Sequence, residues 1–213
     1  MINKKGLLLV VSGPSGTGKG TICKDIVSKH EDINLSISAT TRKPRIGEVE
    51  GKSYFFKTKE EFEAMVDRGE FLEYAMIYDN YYGTPKKAIF DELDMGRDVI
   101  LEIEMQGAMQ IKEVYPQAVF IFVLPPSLQE LKNRIIGRGT ETEEQIEKRF
   151  NSAYDEIKLL GDYDYFIFNN IVEKSSEEIL NILEVEKNKV KRYKKDILDM
   201  FEKEIKNVKT IIK

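Results

Sequence analysis

Residues Gly13 to Thr21 read Gly-Pro-Ser-Gly-Thr-Gly-Lys-Gly-Thr and follow the apolar run Leu7–Val11. The spacing from Gly13 to Gly18 and Lys19 is G-x-x-x-x-G-K, the phosphate-cradling P-loop pattern, and it lies between an expected strand and an expected helix. Such a loop turns backbone N–H groups inward around an anion, so Pro14, Ser15, Gly16 and Thr17 have to be compact. The following helix aims its positive end at the same anion, and Lys19 adds a mobile cation for the outer phosphates. Gly20 departs from the pattern, because this position usually carries Ser or Thr, whose hydroxyl ligates Mg²⁺; here the hydroxyl comes one residue later, at Thr21. A second anion grip is available further on. Arg42 and Arg45 bracket Pro44, and Tyr54 and Tyr82 follow, a set of guanidinium forks and phenols suited to a terminal phosphate monoester. Arg134, Arg138 and Arg149 form a third group, with Gly137 and Gly139 beside the middle one. Arginines of this kind neutralise the spread negative charge of a phosphoryl group in transfer.

These groups need a frame to hold them. Leu7–Ser12 reads as a strand buried on both faces and Thr21–Ser28 as a helix. The stretch from Ile37 to Phe56 is polar and basic, with short strand-like pieces. Thr58 and Glu61 form a capping box before the apolar stripe Phe62, Met65 and Val66. Phe71–Ile77 reads as a strand, and Pro85 opens a helix that ends near Gly96. Val99–Met105 alternates, which puts Leu101, Ile103 and Met105 on one side of a strand and Glu102 with Glu104 on the other. Val119–Leu124 is another apolar strand, closed by Pro125-Pro126, and Tyr165–Phe168 is a last short one. The pairs Ser127/Glu130, Thr142/Gln145 and Ser175/Glu178 mark three further helix starts. Apolar strands alternating with helices predict an α/β fold with a parallel sheet covered on both faces, interrupted by an inserted lobe. Near the C-terminus, Val190, Tyr193, Ile197, Phe201, Ile205, Val208 and Ile212 form one apolar helical stripe. It packs either on this chain's own core or on another subunit.

Composition narrows the field. The chain has 213 residues, 41% hydrophobic and 33% charged, in the range of a globular protein with one sizeable core. A net charge of −4 implies no general affinity for nucleic acid, so bound phosphates must be met by local cations. One cysteine, Cys23, and one histidine, His30, leave no disulfide, no cysteine cluster and no Ser-His-Asp triad. The apolar run near the N-terminus is too short for a membrane span, and no targeting segment is recognisable, so the expected setting is the cytoplasm.

Four stretches carry a resemblance to the guanylate kinases. They are Ser38–Tyr54, the run NYYGTP from Asn80 to Pro85, EIEMQGA from Glu102 to Ala108, and GRGTETEEQIEKR from Gly137 to Arg149. They occur in the family's order, and with the P-loop the likeness covers roughly residues 6–185. The resemblance implies the three-layer P-loop kinase fold, with a core of 1–35, 88–128 and 160–213, a GMP-binding lobe at 36–87 and a lid at 129–159. It implies ATP as phosphoryl donor, Mg²⁺, and GMP, with dGMP, as acceptor. Lys19, Arg42, Arg138 and Arg149 would be catalytic. Gly13 to Thr21, Arg134 and Asn169 would meet ATP. Arg42, Arg45, Glu48, Tyr54 and Tyr82 would surround the GMP phosphate. Ser38, Glu73, Thr84, Glu104, Gln106 and Gly107 would surround the base, and Glu102 would stand near the metal's waters. The variant loop with Gly20 resembles nucleoside monophosphate kinases in which Mg²⁺ is held through phosphates and waters, with no direct protein ligand. The family often has aspartate where this chain has Glu102 and Glu104.

The base chemistry agrees with that implication. Guanine offers N1–H and N2–H₂ as donors and O6 as acceptor, so one carboxylate such as Glu73 can accept twice, and a hydroxyl from Thr84 or Ser38 can donate to O6. Adenine would leave the carboxylate unpaired. The rival readings are the same fold acting on another nucleoside monophosphate, and a guanylate-kinase-like protein-binding module without chemistry. A small P-loop GTPase is disfavoured by the lack of an Asn-Lys-x-Asp run. The expected partners are small molecules, not nucleic acid or membrane, with the chain a monomer or a homo-oligomer joined through its C-terminal helix.

Overall fold

The computed structural model describes residues 4–77, 79–136 and 143–211, with the backbone alone over 143–149 and 208–211. Strand β1 (Leu8–Ser12) leads through the glycine loop into helix α1 (Lys19–Lys29). The short strands β2 (Ile33–Leu35), β3 (Ala39–Thr40) and β4 (Phe55–Phe56) follow, then α2 (Lys59–Asp67). Next come β5 (Phe71–Ile77), β6 (Asn80–Pro85) and α3 (Lys86–Asp94). The chain then returns to the core with β7 (Asp98–Glu102), α4 (Met105–Val114) and β8 (Val119–Leu124). After α5 (Leu128–Ile136), α6 (Glu143–Ile157) and a 3₁₀ turn at Lys158–Asp162, the fold closes with β9 (Tyr165–Phe168), α7 (Val172–Glu186) and α8 (Val190–Ile211).

The main sheet has the order β2-β7-β1-β8-β9, and every pairing in it is parallel. All five residues of β1 are buried because its two faces feed two cores. Leu7, Leu9 and Val11 pack with Ile22, Cys23 and Ile26 of α1 and with Ile179 and Leu183 of α7. Leu8 and Val10 point the other way, to Ile89, Leu93, Ala108 and Ile111 of α3 and α4. Each such side chain contributes about 1.5–3 kcal/mol of burial, which fixes β1 at the centre and the glycine loop at its C-terminal edge. Ligands of open parallel sheets bind at that edge.

A second sheet, ordered β4-β3-β6-β5, is the expected inserted lobe. Its β3–β4 pairing is parallel and the others antiparallel. Phe62 of α2 anchors it, stacked on Phe71 at 4.4 Å and on Tyr81 at 5.2 Å between ring centroids. The Thr58/Glu61 capping box is fully formed.

Two local expectations are corrected. The strand holding Glu102 stops there instead of running to Met105. Ile103 N–H still donates to Val11, but Glu104 then turns the chain and becomes the N-cap residue of α4. Glu102 and Glu104 therefore do not share a strand face. The helix expected to open at Ser175 begins at Val172. Ser175 lies within it, its N–H already bonded to Ile171. The Thr142/Gln145 box lies outside the described residues.

The α7–α8 junction is tied down by Glu186, which is 2% exposed. It accepts from the Tyr165 hydroxyl at 2.7 Å and from Arg192 Nη2 at 2.6 Å, and it pairs with Lys189. Of the C-terminal stripe, Tyr193 is buried on the chain's own body, whereas Phe201 and Ile205 are exposed. Among the described residues no helix is long and apolar enough to cross a membrane.

Candidate active site

The glycine loop has the geometry its composition requires. Gly13 and Gly18 adopt φ of 138° and 89°, and Gly18 is the N-cap of α1. No acidic residue stands in the first turn of α1, so nothing on that helix offsets its positive end. Lys19 is only 8% exposed, and its Nζ donates to the Gly13 carbonyl at 2.6 Å and the Pro14 carbonyl at 3.2 Å. The Thr17 hydroxyl donates to Pro14 at 2.9 Å, which tightens the turn from inside.

Two distant segments brace this loop. Asn169 Nδ2 donates to the Thr17 carbonyl at 2.7 Å, and Arg134 Nη1 reaches the same oxygen at 3.4 Å. Asn169 is 3% exposed, and its Oδ1 accepts from the Ser175 hydroxyl at 3.1 Å. Its side chain is therefore committed to holding the phosphate loop. The Ser175/Glu178 spacing reads as a helix cap, and no local signal in the sequence marks Ser175 for this contact.

On the opposite wall, Arg42 is held from several sides. Its Nε donates to the Tyr82 hydroxyl at 3.2 Å, and Nη1 donates to the Lys43 carbonyl at 2.7 Å. Nη1 and Nη2 both donate to Glu48, at 3.0 and 2.8 Å, in a bidentate pair. The guanidinium also lies 5.3 Å from the Tyr54 ring centroid. Hydrogen bonding to Glu48 raises the Arg42 pKa further, and the same contact lowers that of Glu48. Glu48 also accepts from the Arg45 backbone N–H at 2.7 Å, so it sets the turn that carries both arginines.

Glu73 sits deeper, 7% exposed on β5, opposite Thr84 on β6. The Thr84 hydroxyl donates to Glu73 Oε1 at 2.5 Å. Thr84 thus orients the carboxylate and commits its hydroxyl proton there, while Ser38 lines the cleft. Burial pushes the Glu73 carboxyl above its ordinary value, and the Thr84 hydrogen bond only partly offsets this. Gly107, near the start of α4, lets Glu73 in, since a Cβ there would stand 2.6 Å from Glu73 Oε2.

Both walls face one cleft of about 1310 Å³. Ser15, Gly16, Gly18, Lys19, Gly20 and Thr21 line one side. Ser38, Arg45, Tyr54, Glu73 and Tyr82 line the other. Glu102, Glu104, Gln106 and Gly107 form the floor between them. Thr17, Arg42, Glu48, Thr84, Arg134 and Asn169 are absent from this lining. Lys24, one turn beyond Gly20 on α1, also reaches the cleft and was not anticipated. Arg138 lies outside the described residues, and Arg149 is described only as a position on α6.

The same arrangement of segments recurs in known proteins. A guanylate kinase family model matches residues 5–186. The chain is 67% identical to a guanylate kinase of Clostridioides difficile (strain 630) over 96% of this chain and 100% of that one. It is 55% identical to a guanylate kinase of Caldanaerobacter subterraneus subsp. tengcongensis over 91% of this chain and 94% of the relative. A crystal structure of guanylate kinase from Anaplasma phagocytophilum superposes with a TM-score of 0.73 at 35% identity, covering 88% of this chain and 89% of that one. With the matched stretch running from before β1 to the end of α7, and with relatives this alike from end to end, the chain belongs to the guanylate kinase family.

Proposed function

We propose that this cleft transfers the γ-phosphoryl group of ATP to GMP, and to dGMP, giving ADP and the nucleoside diphosphate. The observation that carries the reading is a glycine loop of P-loop geometry and a buried carboxylate, Glu73, opening into one cleft. Its volume of about 1310 Å³ exceeds the ~300–1,000 Å³ of a typical single-ligand site, as two nucleotides require. The cytoplasm, which holds both nucleotide pools, is the expected setting.

In this reading the loop from Gly13 to Thr21 cradles the ATP phosphates, and Lys19 turns from its own loop carbonyls to the outer phosphate oxygens. Arg42, Arg45, Tyr54 and Tyr82 hold the GMP phosphate, Arg42 by exchanging Glu48 for it. Glu73 accepts from guanine N1–H and N2–H₂, Ser38 donates to O6, and Glu104 and Gln106 close the pocket beside the base. Arg134 and, from the lid, Arg138 and Arg149 neutralise charge on the group in flight. A GMP phosphate oxygen is already an anionic nucleophile at neutral pH, so no general base is needed. Positioning and charge neutralisation carry the acceleration.

The residues at the loop fit a hydrated divalent cation carried on ATP. A carboxylate oxygen of Glu102 beside the start of α1 is a hard donor of the type Mg²⁺ takes. The chemistry such a cation would supply there is neutralisation of charge on the nucleotide phosphates.

The test is diphosphate formation with ATP, Mg²⁺ and each of GMP, dGMP, AMP, CMP and UMP in turn. Turnover confined to the guanine nucleotides is expected. Equal rates on AMP and GMP would remove the role given to Glu73, and a folded protein inert with all five would leave only a binding module.

A further inference from the structure

Two departures from the usual pattern meet in space. Gly20 stands where P-loops carry a hydroxyl residue, and Glu102, ending the strand beside β1, is a methylene longer than the aspartate that P-loop proteins use toward Mg²⁺. β7 pairs with β1 so that Glu102 lies beside Val11, at the sheet edge from which the loop springs. A Cβ built on Gly20 would stand 2.9 Å from Glu102 Oε1, 3.0 Å from Oε2 and 3.3 Å from Cδ. Its three nearest neighbours are thus the three atoms of one carboxylate group. The volume that a P-loop Ser or Thr side chain would fill is here filled by a carboxylate from another strand. α1 has no acidic residue in its own first turn, so Glu102 also brings an anion to that helix start from outside.

We infer that Gly20 and Glu102 work as one unit, in which the Glu102 carboxylate takes over the P-loop hydroxyl's task toward the cation on the bound nucleotide. This rests on the reading of the loop as the ATP site. The extra methylene of Glu102 supplies the reach, and the missing side chain at Gly20 supplies the room. Neither departure works without the other. The atoms in conflict are the movable end of a side chain, so a larger residue at position 20 displaces the carboxylate and leaves the loop backbone folded.

The test uses the full chain and needs no acceptor. A non-hydrolysable ATP analogue is titrated calorimetrically with Mg²⁺ and with EDTA, and the readout is the ratio of the two affinities. Thermal unfolding of each variant is recorded alongside. Gly20→Ala displaces the carboxylate and offers no hydroxyl, so the Mg²⁺-dependent gain falls about tenfold, the scale of one charge-assisted contact. Glu102→Asp alone, now too short, loses a similar factor. The pair Gly20→Ser with Glu102→Asp restores the hydroxyl arrangement and recovers the gain to within about threefold of the native chain, whereas Gly20→Ala with Glu102→Asp does not. Each variant's affinity in EDTA serves as its own reference, so any change in metal-free binding cancels in the ratio. An unchanged Mg²⁺-dependent gain in Gly20→Ala would overturn the inference. So would a Ser/Asp pair no better than the Ala/Asp pair. Because GMP is absent throughout, failure here leaves the acceptor assignment standing, and failure of the acceptor assay leaves this result standing.

Discussion

Replacing Gly107 with alanine tests the contact proposed between Glu73 and guanine at its tightest point. The new Cβ would lie 2.6 Å from Glu73 Oε2, 3.0 Å from Cδ and 3.3 Å from Cγ, whereas ordinary contact begins at 3.4 Å. The carboxylate cannot simply swing aside, because it is buried and its other oxygen is held at 2.5 Å by Thr84. The oxygen must retreat from 2.6 Å to at least 3.4 Å from that carbon, a shift larger than the ~0.5 Å window of a good N–H···O bond. One of the two hydrogen bonds proposed from guanine to Glu73 is then lost. A hydrogen bond to a charged group contributes about 1.5–3 kcal/mol, so kcat/KM for GMP should fall about ten- to hundredfold. The KM for ATP should hold, because the phosphate loop is on the opposite wall. Initial rates with GMP varied at saturating ATP and with ATP varied at saturating GMP, together with a melting curve, measure this. A folded variant whose GMP KM stays within about twofold of the native value, or whose KM rises equally for both nucleotides, would refute the geometry.

Further outcomes follow from other contacts. Burial raises the Glu73 pKa, so the folded state binds more protons than the unfolded chain between the two pKa values, and stability falls as pH rises through the folded one. Glu73→Gln should therefore raise the melting temperature of the free protein at pH 8 more than at pH 4, while abolishing guanine selectivity; a gain largest at low pH would reverse this reasoning. GMP affinity of the native chain should weaken as pH falls through that raised pKa, which calorimetric titration would follow. Asn169→Ala removes the brace on Thr17 and leaves its buried carbonyl to Arg134 alone, so stability should drop by about 1–3 kcal/mol and ATP affinity more than GMP affinity. Arg192→Met withdraws a partner of buried Glu186. Hydrogen bonds from Lys189, Tyr165 and Arg192 outweigh the upward push of burial there and hold the Glu186 pKa down. Stability from that group is present above the ordinary Glu range and lost as pH falls through the folded value. The variant should melt earlier at pH 7, with the difference shrinking in acid and kcat unchanged.

What the sequence disclosed was what is local. The glycine loop, the Thr58/Glu61 capping box and the apolar strand β8 each declare themselves within a few residues, through dihedral needs, a fixed i,i+3 bond or continuous burial. The inserted sheet was visible only as a break in rhythm, since strands of two residues such as β3 and β4 leave no period to read. Alternation alone puts Glu102 and Glu104 on one face, because it carries past the point where the strand ends, and only the turn at Glu104 marks that end. Glu73 and Thr84 were both singled out, yet their mutual bond depends on the β5–β6 register, which shifts between Phe71 and Glu73. The Thr17–Asn169–Ser175 brace spans more than 150 residues of chain and has no spacing to betray it.

The clasp between Arg42 and Glu48 has a bearing on how readily the acceptor pocket fills. Of the guanidinium's five N–H donors, four are already engaged before any nucleotide arrives. An incoming phosphate competes with an anion tethered six residues away, whose effective concentration far exceeds that of free inorganic phosphate. Stray anions that bring only charge gain little against such a rival. A ligand that also plants its base on Glu73 can win, so the self-competition turns a generic cation into one that answers chiefly to nucleotides.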